Sequence, residues 1–253
     1  VGGSDRPQGG RIGAFDAARG LSVISMVLFH LCYDLRFIYG LGLGWFAPPL
    51  QDVWRASISW TFVFIAGCMF PLSRSNLRRG AQYAGVALAI FVVTSVASVD
   101  TPISFGIIYC MAACTLVTWA LAAGGLVPRG PVAAAALLVA FVVLLGLPRG
   151  FVGIGPVSVA LPEWAYGSEW LSWLGLPGPA FSSGDYYPLL PYLMLYLAGA
   201  AMGSSWAERG YPGWARRLRV TPLNFVGRHA LAVYVIHQPV LLVLCEALEL
   251  VFG

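Results

Sequence analysis

Seven apolar runs, near residues 18–39, 56–73, 81–98, 103–122, 131–147, 187–204 and 228–250, dominate this 253-residue chain. Each is close to the roughly 20 residues that a helix needs to cross a bilayer core about 30 Å thick. Charged residues make up only 10% of the sequence and apolar ones 58%, against about 25% charged in an ordinary globular domain. Disorder is ruled out, and a soluble enzyme is disfavoured. The expected fold class is therefore all-α, a polytopic transmembrane helix bundle of about seven spans. The first run contains His30, Asp34 and Arg36, so it does not read as the clean apolar region of a cleavable signal. Residues 1–10 read as a flexible N-terminus, and 11–253 as a single transmembrane domain without internal repeats.

Charge placement predicts the orientation. All 15 basic residues are Arg, which excludes any chemistry built on lysine. With a cytoplasmic N-terminus only Arg36, Arg55 and Arg149 fall on the outer side or in the outer half, leaving twelve inside, Arg6 and Arg11 among them. That is the bias the positive-inside rule describes. Arg74, Arg78 and Arg79 after the second span read mainly as orientation signals, on an inner rim that could also attract phosphates. The five cysteines lie inside apolar runs with no CxxC or zinc-type spacing, so no metal and no disulfide framework is expected. Residues 148–186 form a long outer segment. Within it Pro162, Glu163, Trp164, Trp170 and Trp173 predict a short interfacial helix, either a lid or a brace on the membrane surface.

A polar stripe runs down the first span. Arg19 and His30 are eleven residues apart, three turns plus 20°, so they share a face about 16 Å apart along the axis. Asp34 follows His30 at i,i+4, one turn further out. Ionisable groups at this depth are costly and usually face the bundle interior. An imidazole beside a carboxylate suits a general base acting on a hydroxyl or amine. In the last span Gly227, Arg228 and His229 form the opening, and Tyr234 and His237 follow. His237 would lie about 13 Å beyond Arg228, at a depth like that of His30, so the two histidines could meet across a closed bundle. Pro239 interrupts the backbone bonding nearby. Arg228 and His229 suit an anionic ligand or headgroup. Asp185, in the run SGDYYP, is expected either to cap the sixth span or to help bind an acceptor.

These residues also carry a resemblance. FDAARGLSVISMVLFHLCYDL resembles the first helix of bacterial membrane proteins similar to heparan-alpha-glucosaminide N-acetyltransferase, and its Arg-x10-His spacing resembles that of the wider superfamily of membrane acyltransferases. SWTFVFIAGCMFPLSRS, SFGIIYCMAAC, SGDYYPLLPYL and VGRHALAVYVIHQP resemble later family motifs in the same order. The resemblance implies an acyl-CoA donor, acetyl-CoA above all, bound from the cytoplasmic side, and a sugar or other small amine or hydroxyl acceptor. It makes His30 the essential histidine and Arg19 its partner. The resulting expectation is an acyltransferase in a bacterial plasma membrane. His30 and Asp34 would be catalytic, Arg19, Arg228 and His229 would hold the donor, and His237, Tyr234 and Asp185 would meet the acceptor. Membrane lipid is the expected environment, no nucleic-acid partner is expected, and homodimerisation is left open. The rival reading is a small transporter or lipid-binding protein using the same stripe without acyl chemistry.

Overall fold

The computed structural model describes residues 12–98 and 100–252; the expected flexible start, with Arg6 and Arg11, lies outside the described residues. Long helices occupy the seven apolar runs: α1 Gly13–Tyr33, α2 Leu50–Cys68, α3 Asn76–Ala97, α4 Ile107–Ala123, α5 Pro131–Leu144, α6 Leu189–Arg209 and α9 Ala230–Phe252. Two short helices, α7 Gly213–Arg217 and α8 Thr221–Arg228, precede the last. Four segments are long and apolar enough to cross a membrane: Gly13–Ile38, Asn76–Ala97, Pro131–Arg149 and Ala230–Leu250. Their outward faces stay apolar, as at Val93 and Val139, both more than half exposed, which is the surface lipid can cover.

The chain divides into two compact units, residues 1–62 with 210–253, and residues 63–209; the division falls within α2. In the first unit α1 packs most extensively on α8 and also meets α9. The α1–α8 seam is a backbone-to-backbone contact. A Cβ at Gly20 would overlap the Leu223 carbonyl, and one at Gly227 would overlap the Asp16 carbonyl. Small residues let helices in lipid approach this closely. Asn224 ties the seam further, its Nδ2 donating to the Gly13 carbonyl at 2.7 Å. One turn deeper, Val23, Met26 and Ala230 form a buried cluster flanked by Val226, Val233 and Tyr234. α1 then runs into a π-helical turn, Asp34–Ile38, a geometry that recurs at functional sites. Arg36 closes the loop beyond it by donating to the Leu43 carbonyl at 3.0 Å and to that of Phe46. Phe46, fully buried, packs on Phe29 and Trp54, and Trp54 donates to Ser25 Oγ at 2.8 Å.

In the second unit α6 packs on α4 and α5, and α3 packs on α4. Ser75 caps α3, its hydroxyl accepting from the Arg78 N–H. Residues 148–186 differ from the expected interfacial helix. A two-stranded antiparallel hairpin, β1 Phe151–Ile154 and β2 Val157–Ala160, comes first, followed by 3-10 turns at Glu163–Tyr166 and Glu169–Leu171. The reason is local. Gly155 at φ 53° supplies the turn that only glycine takes at no cost, and Val-Ser-Val alternates with the period of a strand. Gly167 and Ser168 then split the Trp-rich stretch, Ser168 Oγ accepting from the Trp170 N–H instead of letting one helix continue.

Candidate active site

The polar stripe of α1 meets α9 in two adjacent rungs. In the first rung the His30 and His237 rings lie 4.9 Å apart, centroid to centroid, tilted by 60°. Phe29 stands edge-on to His30 at 5.9 Å, and Tyr234 lies 5.5 Å from His237. His237 Nδ1 is 2.5 Å from the Tyr234 carbonyl oxygen. A carbonyl can only accept, so Nδ1 carries the proton, and in the neutral ring Nε2 holds the basic lone pair. That Nε2 is buried and has no hydrogen-bond partner among the described residues.

The second rung, one turn further along α1, is Asp34 with Gln238. Asp34 is fully buried, and Gln238 Nε2 donates to its two carboxylate oxygens at 2.9 and 3.0 Å. With Nε2 on both oxygens, the amide presents its NH2 here and turns Oε1 away. Gln238 Oε1 is buried and has no partner among the described residues. Sequence spacing pointed to Asp34 as the group that orients His30. The structure places Gln238 Nε2 on both of its oxygens, because residue 238 follows His237 and faces the next turn of α1.

The remaining candidates spread along the unit and beyond it. Arg19 lies 3.8 Å from Asp16 on the first turns of α1. Arg228 ends α8 and His229 is the joint before α9, so these two do not open the last span as one continuous helix. The break sits where Gly227 is wedged against the Asp16 backbone. Arg228 Nε donates to the Asn224 carbonyl at 3.0 Å, and its terminal nitrogens have no partner among the described residues. An exposed guanidinium of this kind suits phosphate. His229 Nδ1 is 2.9 Å from the Phe225 carbonyl, so its other nitrogen can donate to an anion only when the ring is protonated.

Asp185 belongs to the second unit, where it also reaches α4. Its Oδ2 accepts from the Ile107 N–H at 3.0 Å, at the start of α4. The segments 102–107 and 183–187 zip together around it, with Tyr187 N–H donating to the Phe105 carbonyl and Ser104 N–H to Ser183 Oγ. Leu190, non-helical at φ −95° and ψ 133°, interrupts the start of α6.

The family model described as heparan-alpha-glucosaminide N-acetyltransferase, catalytic, matches residues 11–239. The chain belongs to this family. No curated protein and no solved structure matches it significantly. The family match spans every residue of both rungs, so the α1–α9 seam lies inside the acetyltransferase domain. Two residues escaped the sequence reading. Gln238 stands in the IHQP run, but only the fold shows that it faces Asp34. Arg79 was grouped with its neighbours as an orientation signal. In the second unit it turns inward, its Nη2 donating to Tyr196 Oη at 2.7 Å, while Thr115 Oγ1 lies 3.1 Å from the same buried oxygen.

Proposed function

We propose that the protein transfers an acyl group, acetyl first, from an acyl-CoA to the hydroxyl or amine of a sugar or other small acceptor, inside the membrane. The observation that carries this is the His30–His237 pair, two imidazoles in contact on α1 and α9, in a chain of the acetyltransferase family. In the proposed topology all seven long helices cross, the N-terminus is cytoplasmic, and the membrane is the bacterial plasma membrane. Arg228, with Arg19 and His229, would hold the donor phosphates near the N-terminal end of α1, where their charge is matched.

His30 acts as general base. It takes the proton from the acceptor O–H or N–H as the oxygen or nitrogen attacks the thioester carbonyl. The tetrahedral oxyanion then collapses, the C–S bond breaks, and the departing thiolate recovers the proton from the His30 imidazolium. Asp34 acts through Gln238, whose amide it holds, and thereby positions the neighbouring His237. Tyr234 serves through its carbonyl, which sets the His237 tautomer.

Calorimetry with acetyl-CoA on the detergent-purified protein tests the donor half of this reading. Wild type is expected to bind saturably, and Arg228→Ala to bind about tenfold more weakly or worse, as loss of a charge-assisted contact of about 1.5–3 kcal/mol requires. Folded protein that binds neither acetyl-CoA nor longer acyl-CoAs overturns it.

A further inference from the structure

The α1–α9 seam holds an imbalance that the transfer chemistry leaves unused. His237 Nε2 and Gln238 Oε1 are both buried and unpartnered among the described residues, and both are acceptors: the first because Nδ1 carries the ring proton, the second because Asp34 claims the NH2. They come from consecutive residues of α9, residues that meet His30 and Asp34, which stand one turn, or about 6 Å, apart on α1. A buried acceptor left without a donor is costly, so a seam with two of them is matched by a ligand that brings two donors. His237 itself is more than nine-tenths buried.

Resting on the acyltransferase reading above, we infer that Gln238 is a specificity-determining residue: its Oε1 takes a hydrogen bond from a second hydroxyl or amine of the acceptor, adjacent to the group that reacts at His30. With an amine acceptor, His237 Nε2 takes the second N–H of the reacting group, the first going to His30. An acceptor with a single donor leaves Gln238 Oε1 unmet in the closed complex and is penalised for it.

Two amines that differ by one hydroxyl provide the test: trans-2-aminocyclohexanol and cyclohexylamine, with thiol release from acetyl-CoA and the acetylated product measured for each. Wild type is expected to favour the amino alcohol by about tenfold or more in kcat/KM, mostly through KM. Gln238→Met, which keeps the length but loses the oxygen, is expected to bring that ratio close to one. A purely structural Gln238 would lower both rates together and leave the ratio unchanged. Equal use of the two amines by wild type overturns the inference with no variant needed. Acetylation of neither amine, with no thiol release, overturns the acyltransferase reading beneath it.

Discussion

Replacing Gly227 with Val tests how the site is held. A Cβ at this position falls on the Asp16 carbonyl, a backbone atom that cannot swing aside, so α8 must part from α1. A gap of about 0.5–1 Å forfeits roughly a quarter to a half of the dispersion attraction across a contact, and overpacking of this kind costs about 1–3 kcal/mol. Taking about 2–3 kcal/mol for a backbone clash, the transition should fall by about 4–12 °C in a chain of this size. Gly85→Ala is the opposite control: nothing lies within 4 Å of its added Cβ, and Ala gains up to about 1 kcal/mol of helix propensity over Gly. Thermal unfolding in one detergent at one scan rate compares the three proteins, because membrane proteins often unfold irreversibly. Arg228 is the next residue along α8, so Gly227→Val should also weaken acetyl-CoA binding while Gly85→Ala should not. A Gly227→Val protein as stable as wild type, beside a stabilised Gly85→Ala, would refute the tight α1–α8 seam.

Further expectations concern the second unit. Tyr196→Phe removes the oxygen that accepts from Arg79 and pairs with Thr115, so it should cost about 1–3 kcal/mol of stability; an unchanged unfolding transition would contradict that network. Asp185→Ala should cost about 0.5–2 kcal/mol as a lost helix cap, while Asp185→Asn, a good capping residue, should cost much less. If both abolish transfer equally in an acetylation assay, Asp185 serves an acceptor rather than α4. Burial, with the neighbouring Tyr109 and Tyr166, raises the Tyr186 phenol above its ordinary value, and its hydroxyl donates to the Ser172 carbonyl. The folded state therefore keeps this proton longer than the unfolded chain, and the associated stability is present below about pH 10 and lost as pH climbs beyond it. Ultraviolet titration of wild type against Tyr186→Phe should show one phenol missing from the late-ionising set, and loss of an ordinary phenol instead would contradict the burial.

Long apolar periodicity made the helices legible, and all seven long ones lie where hydropathy puts them. The pairing of His30 with His237 was legible as equal depth on two spans, since rise per residue is constant in a helix. What spacing cannot carry is which side chain a residue faces on a distant helix. Asp34 answers Gln238, 204 positions away, and Asp185 caps α4 from 78 positions away, neither of which leaves a local pattern. The hairpin at 151–160 was hidden by its own brevity, because four-residue strands show too little alternation to stand out from a Gly- and Pro-rich stretch. Arg79 looked like its neighbours for a similar reason, as only packing separates an inward arginine from two at the surface.

The central claim is that His30 moves the proton during acyl transfer, and the direct measurement is thiol release from acetyl-CoA with an amine acceptor, wild type beside His30→Ala. The account predicts that His30→Ala abolishes acceptor-dependent release while its unfolding transition and its acetyl-CoA binding stay close to wild type. Full acceptor-dependent activity in a folded His30→Ala protein would contradict it.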